Sequence, residues 1–345
     1  MDKVGKSSVL LIYTGGTIGM MQDLQTGELR PFDFNSLTRQ IPELGKLDIT
    51  LSTLAFEKPI DSSNMQPSIW IELAGIIGRN YNRYDGFVIL HGSDTMSFTA
   101  SALSFMLENL AKPVVLTGSQ LPIGIIRTDG KENLITAIEI AGAREKGKPV
   151  VQEVCIYFEY KLFRGNRTVK YNSRHFDAFR SPNYPELAEA GVTISYNHSA
   201  LLRPGKGKLK VHTRLSNEIL VLKLFPGINR KVTTSMIGAK GVKAIILETF
   251  GAGNATTEKW FIEALEKAIR KGITVVNITQ CLEGKVIQGM YETSSQLRRI
   301  GVLGGQDLSY EAAVTKLMFV LGQHLNKQKT AKLLVTNLRG ELSNP

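Results

Sequence analysis

Val9-Leu10-Leu11-Ile12-Tyr13-Thr14-Gly15-Gly16-Thr17 sets a short apolar run directly against two glycines flanked by hydroxyls. The same punctuation recurs down the chain. Phe87-Val88-Ile89-Leu90 leads into His91-Gly92-Ser93-Asp94, and Val114-Val115-Leu116 into Thr117-Gly118-Ser119-Gln120. The runs at 244–249 and 273–278 lead into Gly251-Ala252-Gly253-Asn254 and Thr279-Gln280. Their spacing is irregular, which excludes a repeat array. Between them, apolar residues recur at three- and four-residue steps over about 67–80, 95–110, 131–145, 257–271 and 309–325, the period of helices packed on one face. Strands alternating with helices imply an α/β fold with a mostly parallel open sheet flanked by helices. In such sheets ligands bind beyond the carboxyl ends of the strands, where the glycine-plus-hydroxyl loops fall.

A chain of 345 residues has room for two domains of ordinary size. Arg203-Pro204-Gly205-Lys206-Gly207-Lys208 has linker composition. The division predicted is a larger N-terminal catalytic domain over 1–195, a linker over 196–212 and a smaller C-terminal α/β domain over 213–345. At 43% hydrophobic and 21% charged the chain is neither disordered nor low-complexity. The run at 9–13 is too short for a signal-peptide core or a membrane span, so the expected location is cytoplasmic with no membrane partner. Two cysteines, Cys155 and Cys281, are too few for a disulfide scaffold or a zinc site and read as buried, reduced thiols. The net charge is +11, and ten Lys/Arg against the single acid Glu218 lie between Leu201 and Lys243. That stretch lacks the interleaved aromatics of single-strand binders and reads as a solvated face, with no nucleic-acid partner expected.

Each glycine loop has a plain reading and a chemical one. Gly15-Gly16-Thr17-Ile18-Gly19 lacks the spacing and the downstream acid of a dinucleotide site. Gly5-Lys6-Ser7 precedes its strand and lacks the upstream glycine of a phosphate loop. Thr14-Gly15-Gly16-Thr17 is either a capped turn or a pair of accessible hydroxyls, one of which becomes a nucleophile once a base removes its proton. Asp94 is either a helix cap or a carboxylate for a substrate ammonium, with Ser93 beside it to handle a proton. Lys170 is either a solvated charge or, if desolvated near a hydroxyl, a proton acceptor. Asp61-Ser62-Ser63-Asn64 reads by default as helix capping. His91, His175, His198, His212 and His324 show neither metal-ligand pairing nor a hydrolase triad pattern. The polar segment 20–34 is either a lid over the site or a surface loop.

Taken in order, these blocks resemble the signatures of the bacterial asparaginase family, most closely its cytoplasmic type I branch. The blocks are Thr14-Gly15-Gly16-Thr17-Ile18-Gly19, Asp61-Ser62-Ser63-Asn64-Met65, His91-Gly92-Ser93-Asp94-Thr95-Met96, Thr117-Gly118-Ser119-Gln120-Leu121-Pro122 and Arg164-Gly165-Asn166-Arg167-Thr168-Val169-Lys170. The likeness continues through Phe250-Gly251-Ala252-Gly253-Asn254-Ala255, Asn277-Ile278-Thr279-Gln280-Cys281 and Asn337-Leu338-Arg339-Gly340-Glu341.

The resemblance implies cofactor-free and metal-free hydrolysis of L-asparagine to L-aspartate and ammonia by a homo-oligomer, dimer or tetramer. It implies Thr17 as the nucleophile of an acyl-enzyme, with Ser93 in reserve, and Ser93 with Lys170 as the pair that moves protons. Asp94 then grips the substrate ammonium. Gly16, Asp61, Ser62, Ser63, Gly92, Ser119 and Gln120 line the substrate, and Asn254 reaches the site of a neighbouring protomer.

Two departures stand out. Ser93 occupies a place usually held by threonine, and Leu29 falls near the place of the family's lid tyrosine, for which Tyr291 is the candidate replacement. The rival reading is a tRNA-directed amidase component that supplies ammonia to a partner. Such components carry an extra N-terminal domain, whereas 13 residues precede Thr14 in this sequence. A non-catalytic amino-acid sensor is the second rival.

Overall fold

The computed structural model describes residues 6–22, 29–31, 41–203, 205–289 and 292–343. It forms two compact units, Met1–Thr213 and Arg214–Pro345. In the first unit, five parallel strands are β1 (Ser7–Tyr13), β2 (Ile49–Ala55), β3 (Gly86–Leu90), β4 (Val114–Thr117) and β5 (Val154–Phe158). Antiparallel β6 (Lys161–Arg164), β7 (Ala188–Ala190) and β8 (Ile194–Tyr196) extend one edge. The order across the sheet is β8-β7-β6-β5-β4-β3-β1-β2. Ile12 pairs with Ile89, Ile89 with Leu116 and Leu116 with Ile156, so the carboxyl ends of β1, β3, β4 and β5 lie in line.

The helices of this unit are α1 (Pro67–Asn80), α2 (Met96–Met106) and α3 (Gly130–Gly142). In α1, Trp70, Leu73, Ala74, Ile76 and Ile77 are buried at helical spacing, and Pro67 opens the helix where its missing N–H costs nothing. Almost every residue of α2 is buried, so the helix runs through the core with apolar and small residues on all its faces. The helix expected over 95–110 stops at Met106, because Leu107 and Glu108 pair instead with Val211 and Lys210. The helix expected to reach 145 stops at Gly142, and Arg144–Glu145 turns through Lys146 and Gly147, both at positive φ, to pair with Lys148–Pro149.

The second unit is a four-stranded parallel sheet in the order β9 (Ile219–Lys223), β10 (Ala244–Thr249), β11 (Thr274–Thr279), β12 (Leu303–Gly304). Its helices are α4 (Arg230–Ile237), α5 (Lys259–Arg270), α6 (Glu292–Arg299), α7 (Tyr310–Gly322) and α8 (Lys327–Val335). The larger mostly parallel sheet and the smaller α/β unit are the architecture the strand-helix alternation implied. Among the described residues no helix is long and apolar enough to cross a membrane.

Cys155 is a buried free thiol, as expected, but Cys281 is exposed. β11 ends at Thr279, and Cys281 lies past it, with its N–H donated to Thr279 Oγ1 at 3.0 Å.

Polar residues in this unit hold turns. Asn277 accepts from Thr249 Oγ1 at 2.7 Å and donates to Gly253 O at 3.0 Å, while Thr279 Oγ1 donates to Gly251 O at 2.6 Å. At the C-terminal end Lys316 and Glu341, both 0% exposed, form an ion pair at 2.6 Å. Lys316 Nζ also donates to Thr336 O, and Glu341 accepts the backbone N–H groups of Leu338 and Arg339. A buried pair satisfied in this way closes the chain end against α7, and deleting one partner would cost about 3–5 kcal/mol.

Glu311, in the first turn of α7, has a buried Oε2 without a hydrogen-bond partner among the described residues. Burial pushes its carboxyl up to about 7 against an opposing bond from Ser309, and the charge of Glu248 adds to the rise. Because the folded value exceeds the ordinary one, the native state binds the extra proton. Stability from this group is full below about pH 4.5 and declines as pH rises through 7. Glu311→Gln is therefore expected to raise the melting temperature at pH 8 and change it little at pH 5, measured by thermal denaturation at both values.

Candidate active site

The loops at the carboxyl ends of β1, β3 and β4, with the segment after β2, meet backbone to backbone. Gly15 and Gly16 both take positive φ, +134° and +89°, a conformation glycine adopts without a Cβ penalty. A Cβ on Gly16 would lie 2.5 Å from Gly92 N, and one on Gly92 would lie 2.5 Å from Ser62 Oγ. Thr17 and Ser93 each lie one residue beyond one of the two touching glycines.

The two threonine hydroxyls of the first loop divide by environment. Thr14 is buried and its Oγ1 donates to Leu90 O at 2.9 Å, tying the β1 turn to the end of β3. Thr17 is exposed at the start of a single 3-10 turn, Thr17–Gly19.

The second cluster is the amine-hydroxyl-carboxylate set. Lys170 Nζ donates to Ser93 Oγ at 2.8 Å and to Asp94 Oδ1 at 2.6 Å. Its side chain is 15% exposed while that of Asp94 is 66% exposed. Gly92 and Thr95, not Asp94, hold the N-cap positions of the 3-10 turn and of α2, and the Asp94 carboxylate bonds the lysine. Ser93 Oγ in turn donates to Gln120 Oε1 at 3.3 Å, and Gln120 Nε2 donates to His175 O at 3.0 Å. A cavity of about 960 Å³ lined by Leu121, Ile125, Ile126, Arg127 and Phe176 shares Gln120 with this cluster.

Lys170 is presented by a rigid block. It pairs with Phe179 in a two-residue ribbon that follows a 3-10 turn, Gly165–Arg167, packed on α2. Before that turn, buried Arg164 donates to Glu153 at 2.7 Å and to Ala200 O at 2.7 Å, and its guanidinium lies 4.1 Å from the Tyr184 ring centroid. Thr168 Oγ1 closes the turn onto Arg164 O at 2.6 Å. The Arg164 to Lys170 block is thus mostly scaffold, with the Lys170 nitrogen at its end.

The remaining candidates sort by what their atoms do. Asp61 caps the short turn Ser62–Asn64, accepting from Ser63 N and Ser63 Oγ, both at 2.9 Å. The Ser63 bonds, backbone first, hold this exposed carboxyl below its ordinary range, ready as an anion. Ser62 is buried and its carbonyl accepts from Thr95 Oγ1 at 2.7 Å. Ser119 is buried with its hydroxyl donated to Leu121 O. Asn254 sits in the second unit, bridging back to Phe250. Tyr291 and most of the 20–34 segment lie outside the described residues; the described parts, Met20–Gln22 and Leu29–Pro31, pair antiparallel.

Sequence reasoning missed the residues that hold these loops. Asp129 accepts from the backbone of Gln120 at 2.9 Å and Leu121 at 3.1 Å; burial raises its carboxyl despite these bonds. Thr95, Thr99 and Trp70 also bond into the loop cluster, through contacts that no local pattern announces. Among the described residues, no group of three His, Cys, Asp or Glu side chains could hold a metal.

Known proteins are similar to this chain along nearly its whole length. Residues 8–202 match the family described as "Asparaginase, N-terminal", and residues 218–334 match the "Glutaminase/Asparaginase C-terminal domain". L-asparaginase 1 of Escherichia coli is 44% identical over 98% of both chains. The crystal structure of L-asparaginase I from Vibrio cholerae superposes with a TM-score of 0.89 at 38% identity, covering 98% of this chain and 100% of that one. The mouse 60 kDa lysophospholipase is 39% identical over 98% of this chain and 63% of its own length. A component of the glutamyl-tRNA(Gln) amidotransferase of Pyrococcus abyssi is 32% identical over 99% of this chain and 78% of its own. With both halves matched, the strand-tip glycines in contact and Lys170 bonded to Ser93 and Asp94, the chain belongs to the asparaginase family.

Proposed function

We propose that this protein hydrolyses L-asparagine to L-aspartate and ammonia through an acyl-enzyme on Thr17. The observation that carries the reading is Lys170 Nζ bonded at once to Ser93 Oγ and Asp94 Oδ1, on a loop whose backbone touches the Gly16-Thr17 turn. The substrate ammonium lies between the Asp94 and Asp61 carboxylates, with Gly16, Ser62, Ser63, Gly92, Ser119 and Gln120 around it. By taking over Asp94, the substrate ammonium frees Lys170 from its ion pair, and Lys170, once its proton has passed to solvent, acts on Ser93 as the amine.

In the acylation step Thr17 Oγ1 attacks the side-chain amide carbon. Its proton passes to Ser93 as the Ser93 proton passes to the amine form of Lys170, and Lys170 returns a proton to the departing nitrogen, which leaves as ammonia. Backbone N–H groups of the glycine loops stabilise the oxyanion. Water then attacks the β-aspartyl ester, giving aspartate and free Thr17.

The proposed working form is a cytoplasmic homo-oligomer of two domains, in which Asn254 reaches a neighbour's site and Tyr291 supplies the phenol that Leu29 lacks. The tRNA-directed amidase reading has less support, because relatives of that description are more distant than the asparaginases, at 32% against 44% identity.

Thr17→Ala is expected to keep its helical circular dichroism and lose at least about a thousandfold in ammonia release; retained activity would remove Thr17 as nucleophile. Lys170→Met should lower kcat by about a hundredfold or more, read in the same coupled assay, as loss of proton-transfer assistance. Tyr291→Phe is expected to reduce turnover at least about tenfold with an unchanged melting temperature. Near-wild-type turnover in that variant would assign the proton path elsewhere.

A further inference from the structure

We infer that His91 is a positioning residue whose ring, braced by a buried Thr99–Trp70 pair, clamps the Gly92 carbonyl and so sets the Ser93-Asp94 turn. The inference rests on the asparaginase reading, which gives Ser93 and Asp94 their work.

The ring is fully buried, and its Nδ1 lies 2.7 Å from Gly92 O and its Nε2 2.8 Å from Thr99 Oγ1. Trp70 Nε1 donates to the same Thr99 oxygen at 2.9 Å. These contacts leave a neutral ring one consistent arrangement of hydrogens. A carbonyl oxygen only accepts, so Nδ1 carries the ring hydrogen. Nε2 then has the lone pair, and the Thr99 hydroxyl must donate to it. The free side of the Thr99 oxygen takes the indole N–H, and no polar atom of the three side chains is left over. Burial pushes the imidazole down to about 4, so the ring is neutral across the working range and is no proton carrier.

The peptide just before the clamped carbonyl, His91-Gly92, is where the site's loops touch. His91 N–H donates to Thr117 O at 2.9 Å. A Cβ on Gly16 would lie 2.9 Å from His91 C as well as 2.5 Å from Gly92 N, and one on Gly118 would lie 2.3 Å from His91 O. Any turn of the His91-Gly92 segment would press on the nucleophile loop and the Gln120 loop together, and would carry Ser93 with it. Trp70 and Thr99 stand on α1 and α2, so the clamp refers the turn to two helices as well as to the sheet.

The test separates the two ring nitrogens. In His91→Asn the side-chain amide nitrogen replaces Nδ1 and can keep the bond to Gly92 O, whereas in His91→Gln the amide falls at the Nε2 position and reaches only Thr99. With asparagine as substrate, His91→Gln is expected to lose at least about tenfold in kcat with KM within about threefold, and His91→Asn to keep kcat within about fivefold, on the scale of misplaced catalytic groups. The acidic limb of the kcat/KM profile should stay in place in both.

In ¹⁵N-histidine-labelled wild type, the signal absent from His91→Asn should report an Nδ1–H tautomer that does not titrate between pH 5 and 8. Equal kcat in the two variants, a lost acidic limb, or an Nε2–H or titrating ring would overturn the clamp. Absence of ammonia release from asparagine by the wild type would instead overturn the asparaginase reading, and the tautomer measurement would still decide the clamp.

Discussion

The site depends on a contact between backbones. Gly16 and Gly92 approach so closely that no side chain fits between them, and Ser62 and Gly118 crowd the same peptide from either side. A chain can bring four strand-tip loops that near only if the strands run parallel in register and the tips carry no Cβ at the meeting points. The parallel sheet supplies the first condition, with β1, β3 and β4 ending level. The glycines supply the second. The hydroxyls of Thr17 and Ser93 then occur one residue past each side of that contact, so the backbone geometry places the groups on which the proposed chemistry rests.

Close approach alone would leave the loops loose, and buried polar groups hold them. Thr14 ties the first loop to β3, Thr95 ties the third loop to the second, and Asp129 draws in the backbone at Gln120 and Leu121. On the remaining side, Arg164, Glu153 and Tyr184 build the block that presents Lys170. Thr14 and Thr95 find partners 76 and 33 residues away, and Asp129 partners nine and eight residues away. Leaving such a group unpaired costs about 1–3 kcal/mol, so each bond resists its own displacement. The second unit repeats the device at smaller scale, where Asn277, Thr249 and Thr279 hold the 250–254 turn that carries Asn254.

Two features illustrate how environment divides residues of the same kind. Thr14 and Thr17 share a turn, yet one hydroxyl is a buried structural donor and the other is open. Asp61 is exposed and held as an anion by Ser63, whereas Asp129 is buried among backbone donors with its carboxyl raised. Residue type and spacing are alike in each pair; the difference is solvent and neighbours.

The alternation of apolar runs with helical periods was enough to establish the α/β class, the parallel sheet and the placing of the loops at strand ends, because those follow from local periodicity and from the chirality of strand-helix connections. The order of the glycine-hydroxyl blocks likewise marked Thr17, Ser93, Asp94 and Lys170 as candidates. Where helices stop was not legible, since Leu107 and Arg144 leave their helices to pair with partners whose register only the folded chain defines. Nor was the exposure of Cys281, which sits just past a strand end that hydropathy does not mark. The bonding of Lys170 to both Ser93 and Asp94, and the braces at His91, Thr99, Trp70 and Asp129, belong wholly to tertiary structure. Lys170 meets Ser93 and Asp94 across more than seventy residues and Trp70 meets Thr99 across 29, and even the shorter braces depend on how each loop folds back, which a sequence read by local pattern does not carry.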